Sequence, residues 1–153
     1  MSEFIGFFRD NPKSVIYGLG AGRMGFSLKA FIMRLGHLGF NSYMIGDTTI
    51  PMVKKNHLVI INSSSGETRS ILLLAKIAKS HGAKIVTTTT NSNSSIAKIS
   101  DIILKISNVD STQIMKTIYE QSTYLLYDII IKEIIQELEL DIDTINKNHS
   151  VFE

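Results

Sequence analysis

The 153-residue chain contains no cysteine. Disulfides and thiol chemistry are thereby excluded, and a reducing cytosol suits such a composition. No apolar run is long enough to cross a bilayer, and Met1–Lys13 lacks the basic, apolar, small-residue order of a secretory leader; a cytoplasmic location is the expectation. The net charge of +2 is too small to argue for nucleic acid. His57, His81 and His149 stand at no spacing that suggests metal ligands. Neither a metal nor another cofactor is expected. Internal repeats, low-complexity tracts and linkers are also missing.

What is present is a globular composition, 44% hydrophobic and 20% charged, long enough for one domain with a sizeable core. Apolar runs that read as buried strands, 14–19, 41–45, 57–61, 83–88 and 101–106, alternate with stretches of helical spacing. Helices are predicted over 23–38, 68–81, a short 95–99, and a long closing segment from 111 to about 140, broken or shifted somewhere. Gly39 and Gly82 mark two helix ends. Strands separated by helices imply crossover connections, a parallel sheet and helices on both faces. The predicted class is α/β: a three-layer αβα sandwich on a five-stranded parallel sheet, flavodoxin-like or Rossmann-like. Residues 1–13 are a short lead whose Phe4, Ile5, Phe7 and Phe8 form an apolar face able to dock. Residues 14–140 are the single domain, and 141–153 a polar tail expected to fray.

In such sheets ligands bind beyond the carboxyl ends of the strands. Three loops lie there. Ser63-Ser64-Ser65-Gly66-Glu67-Thr68 follows the third strand and opens a helix, offering hydroxyls, free backbone N–H groups and a positive helix end to one anion, such as a phosphate. An ordinary capped turn, with Thr68 or Ser65 as N-cap, explains the same residues. Gly20-Ala21-Gly22-Arg23-Met24-Gly25 follows the first strand and matches G-x-G-x-x-G, with Asp47 beyond the second strand where a ribose-binding acid would stand. A dinucleotide site, a sugar-phosphate site and a tight packing turn all remain open for that glycine stretch. The third loop, 91–95, is polar.

These residues, with Met33-Arg34-Leu35-Gly36-His37-Leu38-Gly39-Phe40, Ala83-Lys84-Ile85-Val86, Ser95-Ile96-Ala97-Lys98-Ile99-Ser100-Asp101 and Thr117-Ile118-Tyr119-Glu120, carry a resemblance to the sugar isomerase (SIS) domains. Within them the sequence is similar to the 6-phospho-3-hexuloisomerases, from Val15 to about Glu137. The resemblance implies an SIS-type fold and a ketose-phosphate isomerase that interconverts a 3-hexulose 6-phosphate and fructose 6-phosphate through an enediol. It assigns the substrate phosphate to Ser63, Ser64, Ser65, Gly66, Glu67 and Thr68. Beside a dianion, the Glu67 carboxylate is expected to point away. Glu120 matches the family's proton acceptor, and a carboxylate held partly out of water can both remove and return a proton; a solvated helix glutamate is the plainer reading. His37 is a second catalytic candidate, able to polarise the sugar or assist ring opening, or else a helix-end histidine meeting the dipole or a partner subunit. Arg23 can reach a sugar oxygen or phosphate, or pair with an acid across a subunit interface. Tyr119, Tyr124 and Tyr127 read as packing. Homo-oligomerisation, as dimer or tetramer, is implied.

The sequence departs from that pattern in three places. About a dozen residues precede the first strand, where the family usually has a long helix. Met24 stands where a small serine is usual, and Gln113-Ile114-Met115-Lys116 lacks the usual Pro-Leu-Gly. The alternative these departures keep open is a non-catalytic sugar-phosphate sensor.

Overall fold

A computed structural model describes residues 1–107 and 111–149. Strands β1 (Val15–Gly20), β2 (Asn41–Met44), β3 (Leu58–Asn62), β4 (Lys84–Thr89) and β5 (Ile102–Lys105) form one sheet in the order β2-β1-β3-β4-β5, every pair parallel. Among the described residues five helices accompany it: α1 (Ser2–Asp10), α2 (Gly22–His37), α3 (Arg69–Ser80), α4 (Thr117–Glu137) and α5 (Ile142–Lys147), with a short 3-10 turn at Ala97–Ile99. The expected α/β sandwich on a five-stranded parallel sheet is therefore the fold.

The side-chain period of two sorts the strands onto two cores. Ile16, Leu58, Ile60 and Val86 face α1, α2 and α4, whereas Tyr17, Leu19, Val59, Ile61 and Ile85 face α3. The middle strands are buried on both faces, which is why they read as continuous apolar runs. At the edge strand β5 only Ile102 and Leu104 are buried, and Ile103 and Lys105 are exposed.

Residues expected as a lead turn out to be core. On α1, Phe4, Ile5, Phe7 and Phe8 are buried, and the Phe8 ring meets Phe4 and Phe40 edge-on at 5.3 and 5.1 Å. Full burial of side chains this size is worth roughly 1.5–3 kcal/mol each.

Two boundaries are corrected. The closing helix begins at Thr117 rather than Ser111, because Met115 and Lys116 have left-handed backbones (φ 54° and 64°) that no helical turn can continue through. The tail is not frayed as far as 149. The Asp141 carboxylate accepts the backbone N–H groups of Asp143 and Thr144, capping α5. Residues 150–153, also expected as tail, lie outside the described residues.

The strand order fixes where a crevice can form. β1 leads to β2 on one side and β3 leads to β4 on the other, so the loops after β1 and β3 diverge around a gap at the carboxyl edge.

Candidate active site

A cavity of about 510 Å³ occupies that gap. Its lining comes from Ala21 and Met24 after β1, from Asn62, Ser63, Ser64, Ser65, Glu67 and Thr68 at and after β3, from Thr90 and Asn91 after β4, and from Met115 and Lys116 before α4. The serine loop, the polar loop after β4 and the start of the glycine turn thus converge as the topology requires.

The glycine turn is a packing device. A Cβ on Gly25 would lie 2.8 Å from the Gly20 carbonyl oxygen, so α2 starts hard against β1 only because both positions lack side chains. Asp47, the ribose-binding candidate, is exposed and is not among the residues that line the cavity.

The serine loop is held from behind. Gly66 has φ +66°, and a Cβ there would stand 2.0 Å from Ser94 Oγ. Its carbonyl accepts the Ile96 N–H at 3.1 Å. The Ser64 carbonyl accepts Thr89 Oγ1, Thr90 Oγ1 and the Thr90 N–H at 2.9, 2.8 and 3.0 Å. The Glu67 carboxylate turns to the next loop and accepts the Ser95 N–H at 2.8 Å. That hydrogen bond, with the Ser95 side chain and nearby Lys98 adding to it, holds the Glu67 carboxyl below the usual carboxylate range. Through this bond the Glu67 carboxylate ties the loop after β3 to the loop after β4.

Thr68 is the N-cap residue of α3 by position, but its side chain makes no capping bond; its Oγ1 lies 3.4 Å from Ser63 Oγ. Ser65 Oγ accepts the Glu67 N–H at 3.2 Å. Ser64 Oγ is buried and, among the described residues, has no hydrogen-bond partner. A buried hydroxyl without a partner is costly, about 1–3 kcal/mol. At the opening of α3, whose first N–H groups also lack intrahelical acceptors, an oxyanion would satisfy both.

Beneath the cavity lies a buried polar network that sequence reasoning missed. Tyr119 on α4 places its hydroxyl 2.7 Å from Asn62 Oδ1 and 2.9 Å from the Thr88 carbonyl. Asn62 Nδ2 donates to the Met24 carbonyl and to Ser27 Oγ at 3.1 and 2.9 Å. Thr123 Oγ1 lies 3.0 Å from Ser27 Oγ, and Tyr127 donates to Thr88 Oγ1 at 3.2 Å. Burial drives both phenols to pKa values far above the ordinary range, so they stay protonated and able to donate. The signal was present in the strand. Asn62 ends an apolar run and shares parity with Leu58 and Ile60, so it had to face α2 and α4.

Glu120 lies one turn into α4, its backbone N–H bonded to the carbonyl of the cavity-lining Lys116. Its side chain is only 19% exposed, and Oε2 is 3.3 Å from Arg23 Nη1. It is therefore not the solvated helix glutamate of the plainer reading. Arg23 adds Thr117 Oγ1 at 3.1 Å and the Met115 carbonyl at 2.5 Å. Its polar contacts among the described residues all lie on 115–120. The acid it pairs with belongs to its own chain.

His37 is not brought to this cavity within one chain. It closes α2, whose 16 residues run about 24 Å back toward the amino edge of the sheet. There its ring lies 5.0 Å from that of His149, and its carbonyl accepts Asn148 Nδ2 at 2.9 Å. An open groove of about 900 Å³ at the same edge, between α1 and α4, is lined by charges that pair with one another, Arg9 with Glu137 and Lys84 with Glu3. Among the described residues no three metal-binding side chains cluster, and no helix is long and apolar enough to cross a membrane.

A flavodoxin-like strand order with a hydroxyl-lined cavity at its switch point describes a class, and comparison with known proteins names it: the chain belongs to the SIS domain family, whose profile matches residues 11–131. A curated relative is the 3-hexulose-6-phosphate isomerase of Bacillus subtilis, 35% identical over 147 residues that span 90% of this chain and 80% of that protein. Among solved structures, a Methanococcus jannaschii protein with an inferred function of 3-hexulose-6-phosphate isomerase superposes with a TM-score of 0.92 at 32% identity, covering 99% of this chain and 85% of its own. The fold alone is shared with the Vibrio vulnificus NanR protein, solved in complex with ManNAc-6P, at 17% identity and a TM-score of 0.79 over 95% of this chain and 57% of that one.

Proposed function

We propose that the protein is a ketose-phosphate isomerase interconverting a 3-hexulose 6-phosphate and fructose 6-phosphate. The observation that carries this reading is Ser64 Oγ, buried and unpartnered among the described residues, in a cradle of hydroxyls at the start of α3. A phosphate seated there takes hydrogen bonds from Ser63, Ser64, Ser65 and Thr68, while Gly66 lets the loop close against Ser94 and Glu67 braces it through Ser95. The names of the relatives at 35% and 32% identity support the substrate class.

The chemistry needs a base and no redox partner. Glu120 removes the proton from C2, which bears a hydroxyl beside the C3 carbonyl. The C–H electrons form the C2–C3 double bond of an enediol, and the carbonyl oxygen takes up a proton. Return of the carbon-bound proton to C3, with loss of the O2 proton, leaves the carbonyl at C2. One carboxylate suffices for both carbon transfers, since the two carbons are neighbours.

Self-association goes with this reading. Phe26 and Met33 on α2 and Leu125 and Ile129 on α4 are exposed, so the closing helix is apolar on its outer as well as its inner face, a pattern typical of helices covered on both sides. Light scattering is expected to give a dimer or tetramer. The setting on this reading is the cytoplasm.

The test is incubation of the purified protein with 3-hexulose 6-phosphate, with fructose 6-phosphate measured by a coupled assay. Turnover is the expected result. Stabilisation of the fold by the sugar phosphate without turnover would overturn isomerisation in favour of a binding-only domain.

A further inference from the structure

Resting on the reading of Glu120 as the base, we infer that Arg23 is a positioning residue that clamps the Glu120 carboxylate and the strap before α4 into one arrangement. The guanidinium spends its fork on three chemically different acceptors. Nη1 is 3.3 Å from Glu120 Oε2 and 3.1 Å from Thr117 Oγ1, and Nη2 is 2.5 Å from the Met115 carbonyl. A planar fork with fixed donor directions can hold a carboxylate, a hydroxyl and a carbonyl at once, whereas a lysine ammonium offers one centre on a flexible stem.

Each contact has a purpose. Met115 and Lys116 carry consecutive left-handed backbones, an arrangement that persists only where surrounding contacts hold it; the bond to the Met115 carbonyl is such a contact. The bond to Thr117 fixes the first residue of α4. The ion pair with Glu120, 3.3 Å from Nη1 to Oε2, ties the carboxylate to the same guanidinium. Arg23 itself is anchored by its place on the first turn of α2, between Ala21 and Met24, which line the cavity. The clamp therefore sets the distance between the wall after β1 and the base on α4.

The test compares steady-state kinetics and melting of Arg23→Ala, Arg23→Lys and Glu120→Gln. Both Arg23 variants are expected to lose about 10- to 100-fold in kcat, the scale of a small misplacement of a catalytic group, with KM within about threefold of wild type. Guanidinium or methylguanidinium ion added at millimolar concentration should restore part of the lost kcat in Arg23→Ala and none in Glu120→Gln. Wild-type kcat in both Arg23 variants would overturn the clamp, as would a rise in KM at unchanged kcat, which would mark Arg23 as a substrate ligand. Full turnover by Glu120→Gln would instead remove the base on which the inference stands, and an inactive Glu120→Gln beside normal Arg23 variants would remove only the clamp. If Arg23→Ala does not fold, Arg23→Lys, which keeps the charge, decides between these outcomes.

Discussion

At the carboxyl edge of the sheet polar side chains are buried and tied to one another; at the amino edge they are exposed and paired as ions. Asn62, Ser27, Thr88, Thr123 and Tyr119 are buried at the first edge in one network, with Ser64 Oγ left over. At the opposite edge the polar groups form salt bridges such as Arg9–Glu137 and Lys79–Asp101, both 2.5 Å, on partly exposed side chains. Exposed pairs contribute little to stability, because water competes for each charge. Buried groups are costly unless every donor and acceptor is met. The contrast teaches that the buried polarity at one edge is not there to hold the sheet, which its apolar strands already do. It holds α2, α4 and the ends of β3 and β4 at defined separations beneath a cavity.

Four substitutions test that contrast. The largest effect belongs to Glu120→Gln. Turnover should fall about 10²- to 10⁴-fold, the range for loss of a general base, while the melting temperature stays near wild type; a variant that melts early and still turns over would break the comparison. Gly66→Ala comes next. Its Cβ meets Ser94 Oγ at 2.0 Å on a backbone of φ +66°, so urea unfolding should show a loss of about 2–3 kcal/mol, together with loss of stabilisation by a sugar phosphate.

Tyr119→Phe should cost about 1–3 kcal/mol in the same unfolding experiment, since Asn62 Oδ1 stays buried without its donor. Asp101→Asn, on the ionic side, should cost least, about 0.5–1 kcal/mol at neutral pH. Burial of Asp101 works against its ionisation, but the Ile85 N–H at 2.7 Å and the Lys79 ammonium outweigh it, and the carboxyl is held below its ordinary value of 3.8. A carboxyl depressed by folding adds stability above its unfolded pKa and loses it as pH falls through the folded value. The difference between wild type and Asp101→Asn should therefore shrink below pH 3.8. If Asp101→Asn proved the more damaging of the last two, the division between the edges would fail.

Much of the site was legible in the residues. The run Ser63–Thr68 stands where a buried strand meets a helix, and that position alone places it at the carboxyl edge. The partnership of Arg23 was not legible, because nothing local says that a residue opening α2 meets one opening α4. His37 shows the same limit in reverse: its type suggested chemistry, but the length of α2 carries it to the far edge. Tyr119 read as packing because its ring does pack; its hydroxyl matters only through Asn62 and Thr88, which arrive on other strands.

The order of residues by itself determined the alternation of strand and helix, the parallel sheet and the place of the hydroxyl loop, since periodicity and turn residues act over a few positions. Only the tertiary structure decided which guanidinium meets Glu120 and which strand end lies beneath the cavity. Those depend on packing between segments far apart in the chain, where shape and hydrogen-bond geometry, not local pattern, select the neighbour.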